Sequence, residues 1–295
     1  MRSLFSLLFL TVLFSLAACD DAKKNSSWND NNQNVNNVNN DAGTDGDVAD
    51  ADADPDADGG TEPDPVPDLA GTWAHVQLNG SLMNMPMVGV QSNQLISLVL
   101  VTMTQDGTTL AASEDVCDIK IESTTTMVTT IIPQAFVESM EPILKPVFLS
   151  WNGHAWVYNQ PQSWAVQGVH LENIETDPMP TDQSDPRIFD QDLDSHPGLT
   201  VSVTGLLSGD IYVIQRGWNA MLSRELTVDH VFGYLTWENE QIVLDATNDI
   251  LKDPIEQTVD PDETKSWFEF VRVSPGTTCQ DLIDQKDTLF PRLAQ

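Results

Sequence analysis

The sequence predicts an all-β fold, a single antiparallel β-barrel or sandwich with one or two short helices, preceded by a disordered acidic stalk. Three observations lead to this prediction. Apolar and polar residues alternate with a period of two after residue 68, which is typical of strands with one buried face. Turn-forming pairs such as Asp106-Gly107 separate these runs. Helical periodicity is scarce, so short strands at regular intervals favour a barrel or sandwich.

The predicted β-rich domain spans residues 69–295, and its strand-like runs follow one another at short intervals. They are LVLVTMTQDGTTLAAS, VCDIKIES, TMVTTII, LTVSVTGLLSGDIYVIQR, LTVDHVFGYLTW, QIVLDAT and SWFEFVRV. A short helix is expected in PQAFVESMEPILK, with Pro133 in its first turn. A closing helix is expected in TTCQDLIDQKDTLF, capped by Thr277 or Thr278.

Residues 1–19 have the pattern of a signal peptide. A short positive start precedes thirteen almost wholly apolar residues, Leu4 to Leu16, which are too few to remain as a membrane-spanning helix. The run ends in Leu16-Ala17-Ala18-Cys19, which resembles the lipobox of bacterial lipoproteins. The resemblance implies cleavage before Cys19 and attachment of a diacylglycerol, with acyl chains such as palmitate, to its sulfur. The alternative is an ordinary secretory peptide with an incidental cysteine.

The resemblance to lipoproteins also implies a location and a partner. Two or three acyl chains would fix Cys19 to a lipid bilayer, because each buried CH₂ contributes about 0.8 kcal/mol. We therefore expect a monomeric protein of the bacterial cell envelope, anchored in a membrane and facing the periplasm or the cell exterior.

Residues 20–68 are expected to form a disordered linker. An asparagine-rich tract, NSSWNDNNQNVNNVNN, is followed by a tract rich in Asp, Ala, Gly and Pro. Neither contains enough apolar surface to offset the entropy of ordering. The linker would hold the β-rich domain away from the membrane.

The charge balance excludes one class of partner. The chain has 45 acidic and 13 basic residues and a net charge of −32, and 31 of the acidic but only ten of the basic residues lie in residues 69–295. Such a surface repels phosphate backbones, so no nucleic-acid partner is expected.

Two cysteines, Cys117 and Cys279, remain after Cys19. In an oxidising envelope compartment, two remaining cysteines most simply form a disulfide bond. Alternation in VCDIKIES places Cys117 on the same face as Ile119 and Ile121. Two separate thiols are the alternative.

The start of the β-rich domain suggests a fold family. In DLAGTWAHVQL, Gly71-Thr72-Trp73 enters the first strand and resembles the G-x-W opening of lipocalins. The resemblance implies an eight-stranded barrel in which Trp73 plugs the closed end and a small apolar ligand enters at the other. Another all-β barrel or sandwich is the alternative.

The segment DPRIFDQDLDSHPG suggests a calcium site. Asp190, Asp192 and Asp194 alternate as in DxDxDG calcium loops of extracellular adhesive modules, which they resemble, and Asp182 or Asp185 with backbone carbonyls could complete the shell. Ser195 stands where such loops place glycine. Calcium is therefore one hypothesis for a cofactor, and a solvated turn is the other.

Aromatic residues cluster in FLSWNGHAWVYNQPQSW. Trp151, Trp156, Tyr158 and Trp164 are candidate pocket residues, and core packing of two neighbouring strands is the alternative. The five histidines show no zinc spacing, and no nucleophile elbow or phosphate loop is present. No catalytic residues are expected.

The sequence therefore predicts a membrane-anchored lipoprotein with a non-catalytic binding or structural domain of the envelope, whose partner is a small apolar ligand or an envelope protein. The alternatives are a calcium-stabilised adhesive module and an enzyme with an unrecognised site.

Overall fold

The structure, a computed structural model, describes residues 64–85, 89–124, 127–253 and 256–294. Antiparallel strands dominate these residues, which confirms the predicted all-β class. The strands are β1 (Gly71–Met85), β2 (Gly89–Asp106), β3 (Thr109–Ser123), β4 (Val128–Ile131), β5 (Ile143–Trp151), β6 (Trp156–Gln167), β7 (Leu199–Gly205), β8 (Gly209–Leu226), β9 (His230–Ala246), β10 (Glu256–Val259) and β11 (Trp267–Arg272). The helices are α1 (Gln134–Glu138), α2 (Cys279–Leu289) and three 3₁₀ helices at Asp249–Leu251, Glu263–Lys265 and Pro291–Ala294.

Eight of the strands form a closed ring. Their order is β1-β2-β3-β5-β6-β8-β9-β11, and β11 pairs again with β1. Every neighbouring pair is antiparallel, so the chain runs up and down around the ring. The fold is therefore a barrel rather than a sandwich. Three short strands extend its wall: β7 pairs with the start of β8, β4 pairs with β7, and β10 pairs with the end of β1.

Turn residues place the hairpins where the sequence predicts them. Asp106 pairs with Thr109, and Gly107 between them has a φ of 59°, a conformation that glycine adopts without strain. The predicted pair of strands around residues 208–210 corresponds to β7 and β8. Some predicted runs merge, because VCDIKIES continues the second strand of the first hairpin and QIVLDAT belongs to β9.

One end of the barrel is filled by aromatic side chains. Trp73, Tyr158, Phe268 and Phe270 are fully buried and pack in one cluster with apolar residues of β2, β3, β5, β8 and β9. The rings of Trp73 and Phe270 meet edge to face with centroids 6.5 Å apart, a favoured arrangement of aromatic pairs. These four residues are called the floor below.

Arg272 covers the floor from outside. Its guanidinium lies 4.4 Å from the centre of the Trp73 ring, within the range of a cation–π contact. It also donates hydrogen bonds to the carbonyl oxygens of Asp68, Ala70 and Val228 at 2.7–2.8 Å. The last residues of the predicted linker are thereby held against the barrel.

Two further contacts hold residues 64–69 in place. The Trp156 indole donates to the carbonyl oxygen of Asp64 at 2.8 Å, and the Gln105 amide donates to that of Pro67 at 2.9 Å. The boundary predicted at Leu69 marks the first fully buried residue of the domain. Residues 1–63, which include Cys19 and most of the predicted linker, lie outside the described residues.

A β-bulge in β3 changes the face on which Cys117 lies. Leu98 pairs with Asp118 and Val99 pairs with Val116, so Cys117 is the extra residue. Cys117 therefore packs on the outer face of the barrel, whereas Ile119 faces the interior. The prediction that these two residues share a face is wrong, because strict alternation fails across a bulge.

The disulfide between Cys117 and Cys279 confirms the predicted pairing. It joins β3 to α2, which covers the outer face of β1–β3. Leu282 and Phe290 are fully buried there against Val76. Closing a loop with a sequence separation of 162 residues stabilises the fold by about 5 kcal/mol in the chain-entropy description.

The two helices begin where the sequence predicts. Thr278 caps α2 by accepting from the Asp281 amide, and the Asp281 carboxylate accepts from the Thr278 amide, which forms a capping box. Pro133 is the N-cap of α1, which ends after five residues at Glu138.

Candidate functional site

The barrel encloses a cavity beyond the floor. Its volume is about 570 Å³, within the range of small-molecule pockets. It is lined by residues farther along the same strands that form the floor. On β1, for example, Trp73 lies in the floor, whereas Gln77, Asn79 and Ser81 face the cavity. The interior of the barrel therefore changes from solid core to cavity along each strand.

The two sides of the cavity differ in polarity. The side formed by β2, β3 and β5 has the larger apolar share, with Leu95, Val99, Val116, Ile119, Ile121 and Ile143 beside Asn93, Ser97, Glu114 and Lys145. The side formed by β6, β8 and β9 has the larger polar share, with Ser163, Gln167, Gln215, Asn219, Glu238, Asn239, Glu240 and Gln241 beside Ala165, Ile211, Val213, Trp218, Trp237 and Val243. An amphipathic molecule would match both sides, because each half of its surface would meet groups of similar polarity.

The segment containing β4 and α1, residues 128–140, forms part of the far wall. Thr130, Ile132, Phe136 and Met140 line the cavity, and Phe136 is 4% exposed. Phe136 packs in a cluster with Val203 of β7, so the two short strands and the helix act together. They extend the cavity wall at the end opposite the floor.

A buried ion pair lies beside the cavity. Lys145 Nζ is 2.7 Å from Glu114 Oε2, and the two side chains are only 8% and 7% exposed. Both residues line the cavity. Lys145 lies beyond the last pairing of β5 with β6, Phe148 with Asn159, where a bulge interrupts β6. A buried pair contributes little net stability, since desolvation offsets the attraction between its charges.

A chain of side-chain hydrogen bonds extends from this pair across the barrel. Lys145 Nζ donates to Asn219 Oδ1 at 3.3 Å, and Gln160 Nε2 donates to the same oxygen at 3.0 Å. Asn219 Nδ2 donates to Gln77 Oε1 at 2.9 Å, and Gln77 Nε2 donates to Asn79 Oδ1 at 2.7 Å. These five side chains and Glu114 are called the polar network below.

Two buried polar side chains lie at this end of the barrel, Tyr158 in the floor and His75 beside it. His75 is fully buried and stacks on Phe270 with centroids 4.0 Å apart, and neither ring nitrogen has a hydrogen-bond partner. Burial and then the positive Lys145 hold the pKa of His75 well below its ordinary value of 6.5. Burial and then the negative Glu114 raise the pKa of Tyr158 well above 10.0. Both groups are therefore neutral near pH 7.

The structure brings the three predicted calcium ligands together. One carboxylate oxygen from each of Asp190, Asp192 and Asp194 lies within 4.8 Å of the others. Leu193 and Ser195 have φ values of 58° and 75°. Ser195 thus adopts the left-handed conformation for which such loops normally use glycine.

Most of these carboxylate oxygens already accept hydrogen bonds from backbone amides. Asp190 accepts from the amides of Asp194 and Ser195, and Asp192 Oδ2 accepts from the Thr200 amide at 2.9 Å. Asp192 Oδ1 is buried and has no hydrogen-bond partner. Burial, and to a smaller extent the charges of Asp194 and Asp190, raise the pKa of Asp192.

Asp185 lies outside this cluster. It forms a bidentate pair with Arg187, at 3.0 and 2.9 Å. These hydrogen bonds lower the pKa of Asp185 to about 2. The arrangement fixes the turn and does not place Asp185 among the three converging carboxylates.

None of the four predicted aromatic pocket residues, all within the described chain, lines the cavity. Tyr158 belongs to the floor, and Trp156 packs at the edge of the same cluster and contacts Trp151, with ring centroids 5.8 Å apart. Trp164 contacts Trp218. The core-packing alternative describes Tyr158, and the bulge in β6 separates it from the cavity-lining positions of that strand.

Sequence reasoning missed the residues of the polar network. A signal was present in the alternation of the strands. Glu114 continues the inward series of Leu110 and Ala112, and Lys145 precedes Val147 and Leu149 on the inward face of β5. A charged residue at an inward position of an alternating strand indicates a buried polar site.

Comparison of the chain with protein-family models, curated proteins and solved structures gave no match. In the part of the chain that the structure describes, no helix has the length and apolar character needed to cross a bilayer.

Proposed function

We propose that this chain is a lipid-anchored envelope lipoprotein whose barrel binds a small amphipathic molecule without chemically changing it. The observation that carries the proposal is the cavity of about 570 Å³ inside the closed ring. A core selected only for stability would fill this space, because protein interiors are normally packed as densely as organic crystals. The cavity also combines an apolar side with a few polar groups, as small-molecule sites do.

The lipocalin-like interpretation belongs to this proposal. The ring has eight up-and-down antiparallel strands, and Trp73 of the G-x-W sequence lies in the floor. Both features are what the resemblance implies, and both support a ligand that enters from the opposite end.

Two tryptophan substitutions, one on each face of β3, test whether the cavity binds a ligand. Ile121 faces the cavity, and Lys120 lies next to it on the outer face of β3, where its side chain is 52% exposed. We expect the neutral fluorescent probe N-phenylnaphthylamine to bind the full chain. Ile121→Trp should weaken binding at least about tenfold by filling the cavity, and Lys120→Trp should leave it unchanged. Equal binding by both variants, or no binding by the unaltered chain, would refute the proposal.

The lipid anchor rests on the sequence Leu16-Ala17-Ala18-Cys19. Metabolic labelling with a palmitate analogue in a bacterial host should label the chain, and Cys19→Ser should abolish the label. Cys117→Ser together with Cys279→Ser is the control, because both cysteines are joined in the disulfide and should not be acylated. Label that persists in Cys19→Ser would contradict the anchor.

The convergence of three carboxylates favours a second candidate, a calcium-stabilised interaction module. Asp192 Oδ1, buried and without a partner, would gain a ligand if calcium bound. We expect calcium to raise the melting temperature of the unaltered chain relative to chelator, and Asp192→Asn to remove that difference. Identical melting curves in calcium and chelator would refute this candidate.

A further inference from the structure

The polar network restricts which molecules fit the cavity. One of its buried atoms, Glu114 Oε1, belongs to a cavity-lining residue and has no hydrogen-bond partner in the described structure. It is an acceptor. The other oxygens and nitrogens of Asn219 and Gln77 are joined within the network. A buried acceptor without a donor is unfavourable, so a ligand that donates a hydrogen bond to Glu114 Oε1 would remove this cost.

The charged residues of the cavity lining also favour a ligand that donates hydrogen bonds and carries a positive charge. The positive charge of Lys145 is matched by Glu114 at 2.7 Å. The other charged residues that line the cavity are Glu238 and Glu240, and Arg216 pairs with Glu240. The charged groups of the lining are therefore negative in excess, as is the surface of residues 69–295. A negative cavity and surface attract cations and repel carboxylates.

Building on the proposed function, we infer that the ligand is an amphiphile with a cationic amine head. The ammonium group donates to Glu114 Oε1, which lies in a cavity-lining residue 6% exposed. The apolar tail lies along Val116, Ile119 and Ile121 of the same strand. The ammonium has three donors and no acceptor, so it complements the unpartnered carboxylate oxygen of Glu114.

Three probes with the same tail and different heads test this inference: decylamine, decanol and decanoate. Each displaces N-phenylnaphthylamine from the full chain in competition titrations. We expect decylamine to bind at least about tenfold more tightly than decanol, and decanoate to bind more weakly than decanol.

A paired substitution identifies the groups responsible. Glu114→Leu with Lys145→Met removes both charges together, so neither is left buried alone. In this variant the advantage of decylamine over decanol should disappear. Glu122→Gln is the matched control, because it removes a carboxylate from an exposed position of β3 and should preserve the advantage.

The outcomes separate the inference from the function on which it rests. Equal affinities for the three probes, or tighter binding of decanoate, would overturn the amine head and leave the ligand cavity standing. Retention of the amine preference in the Glu114→Leu, Lys145→Met variant would also overturn it. Failure of every probe, including N-phenylnaphthylamine, would overturn the cavity itself.

Discussion

The floor and the cavity of the barrel are built from the same strands but follow different rules. The floor is solid, and its aromatic rings are fully buried and covered by Arg272. A few residues farther along, the inward positions carry Gln77, Asn79, Glu114 and Lys145 around an open volume. One half of the barrel therefore maintains the fold, whereas the other half keeps polar groups that would be unfavourable in a core.

The largest effect is expected in the floor. Trp73→Ala should lower the free energy of unfolding by about 3–5 kcal/mol, because it removes the side chain that contacts both Phe270 and Arg272. Chemical denaturation measures the change. A loss below about 1 kcal/mol would mean that the floor does not carry the stability assigned to it.

The second prediction concerns the ion pair beside the cavity. Lys145→Met alone should destabilise the chain by roughly 3 kcal/mol, because it leaves the Glu114 carboxylate buried without its partner. Adding Glu114→Leu should restore most of the lost stability. Denaturation curves of the two variants check this, and a double variant less stable than Lys145→Met would show that the pair stabilises the fold.

The third prediction concerns pH and His75. The folded state holds His75 neutral, whereas the unfolded chain binds a proton below its ordinary pKa of 6.5. Acidification from pH 7 to 5 therefore favours unfolding, and stability rises with pH across this window, by at most about 1.4 kcal/mol per pH unit.

His75→Phe should reduce this slope, because the new side chain keeps the stack on Phe270 and takes up no proton. Melting temperatures measured from pH 5 to 7 provide the comparison. Parallel curves for the two proteins would contradict a buried neutral histidine.

The smallest expected effect is the difference in stability between the same substitution, Val→Ala, in the core cluster and in the cavity lining. Val101 is fully buried in the core cluster, and Val116 lines the cavity beside it. Val101→Ala should cost about 2 kcal/mol, since it removes buried methyl groups and leaves a void. Val116→Ala only enlarges an existing space and should cost under about 1 kcal/mol. Equal losses in denaturation experiments would show that the cavity is packed like the floor.

Local signals in the sequence predicted much of the fold. Asp106-Gly107 marked a hairpin, Thr277-Thr278 marked a helix start, and Cys117 with Cys279 marked a disulfide. Each depends on a few neighbouring residues or on the chemistry of one pair. The ring closure was left open between barrel and sandwich, because the pairing of β1 with β11 joins residues almost 200 positions apart and leaves no local pattern.

The candidate site was less predictable for a related reason. Bulges in β3 and β6 change which side chains face inward, so simple alternation misplaced Cys117. The polar network gathers Gln77, Asn219 and Lys145 from three different strands. Its existence follows from closure of the ring and not from spacing along the chain.

A crystal structure of the chain grown with decylamine would show whether the cavity holds an amphiphile with its amine at Glu114. We expect electron density for the tail along the apolar side formed by β2 and β3, with the amine nitrogen within about 3.2 Å of Glu114 Oε1. Density for decylamine outside the barrel only, or side chains filling the interior beyond the floor, would contradict this expectation.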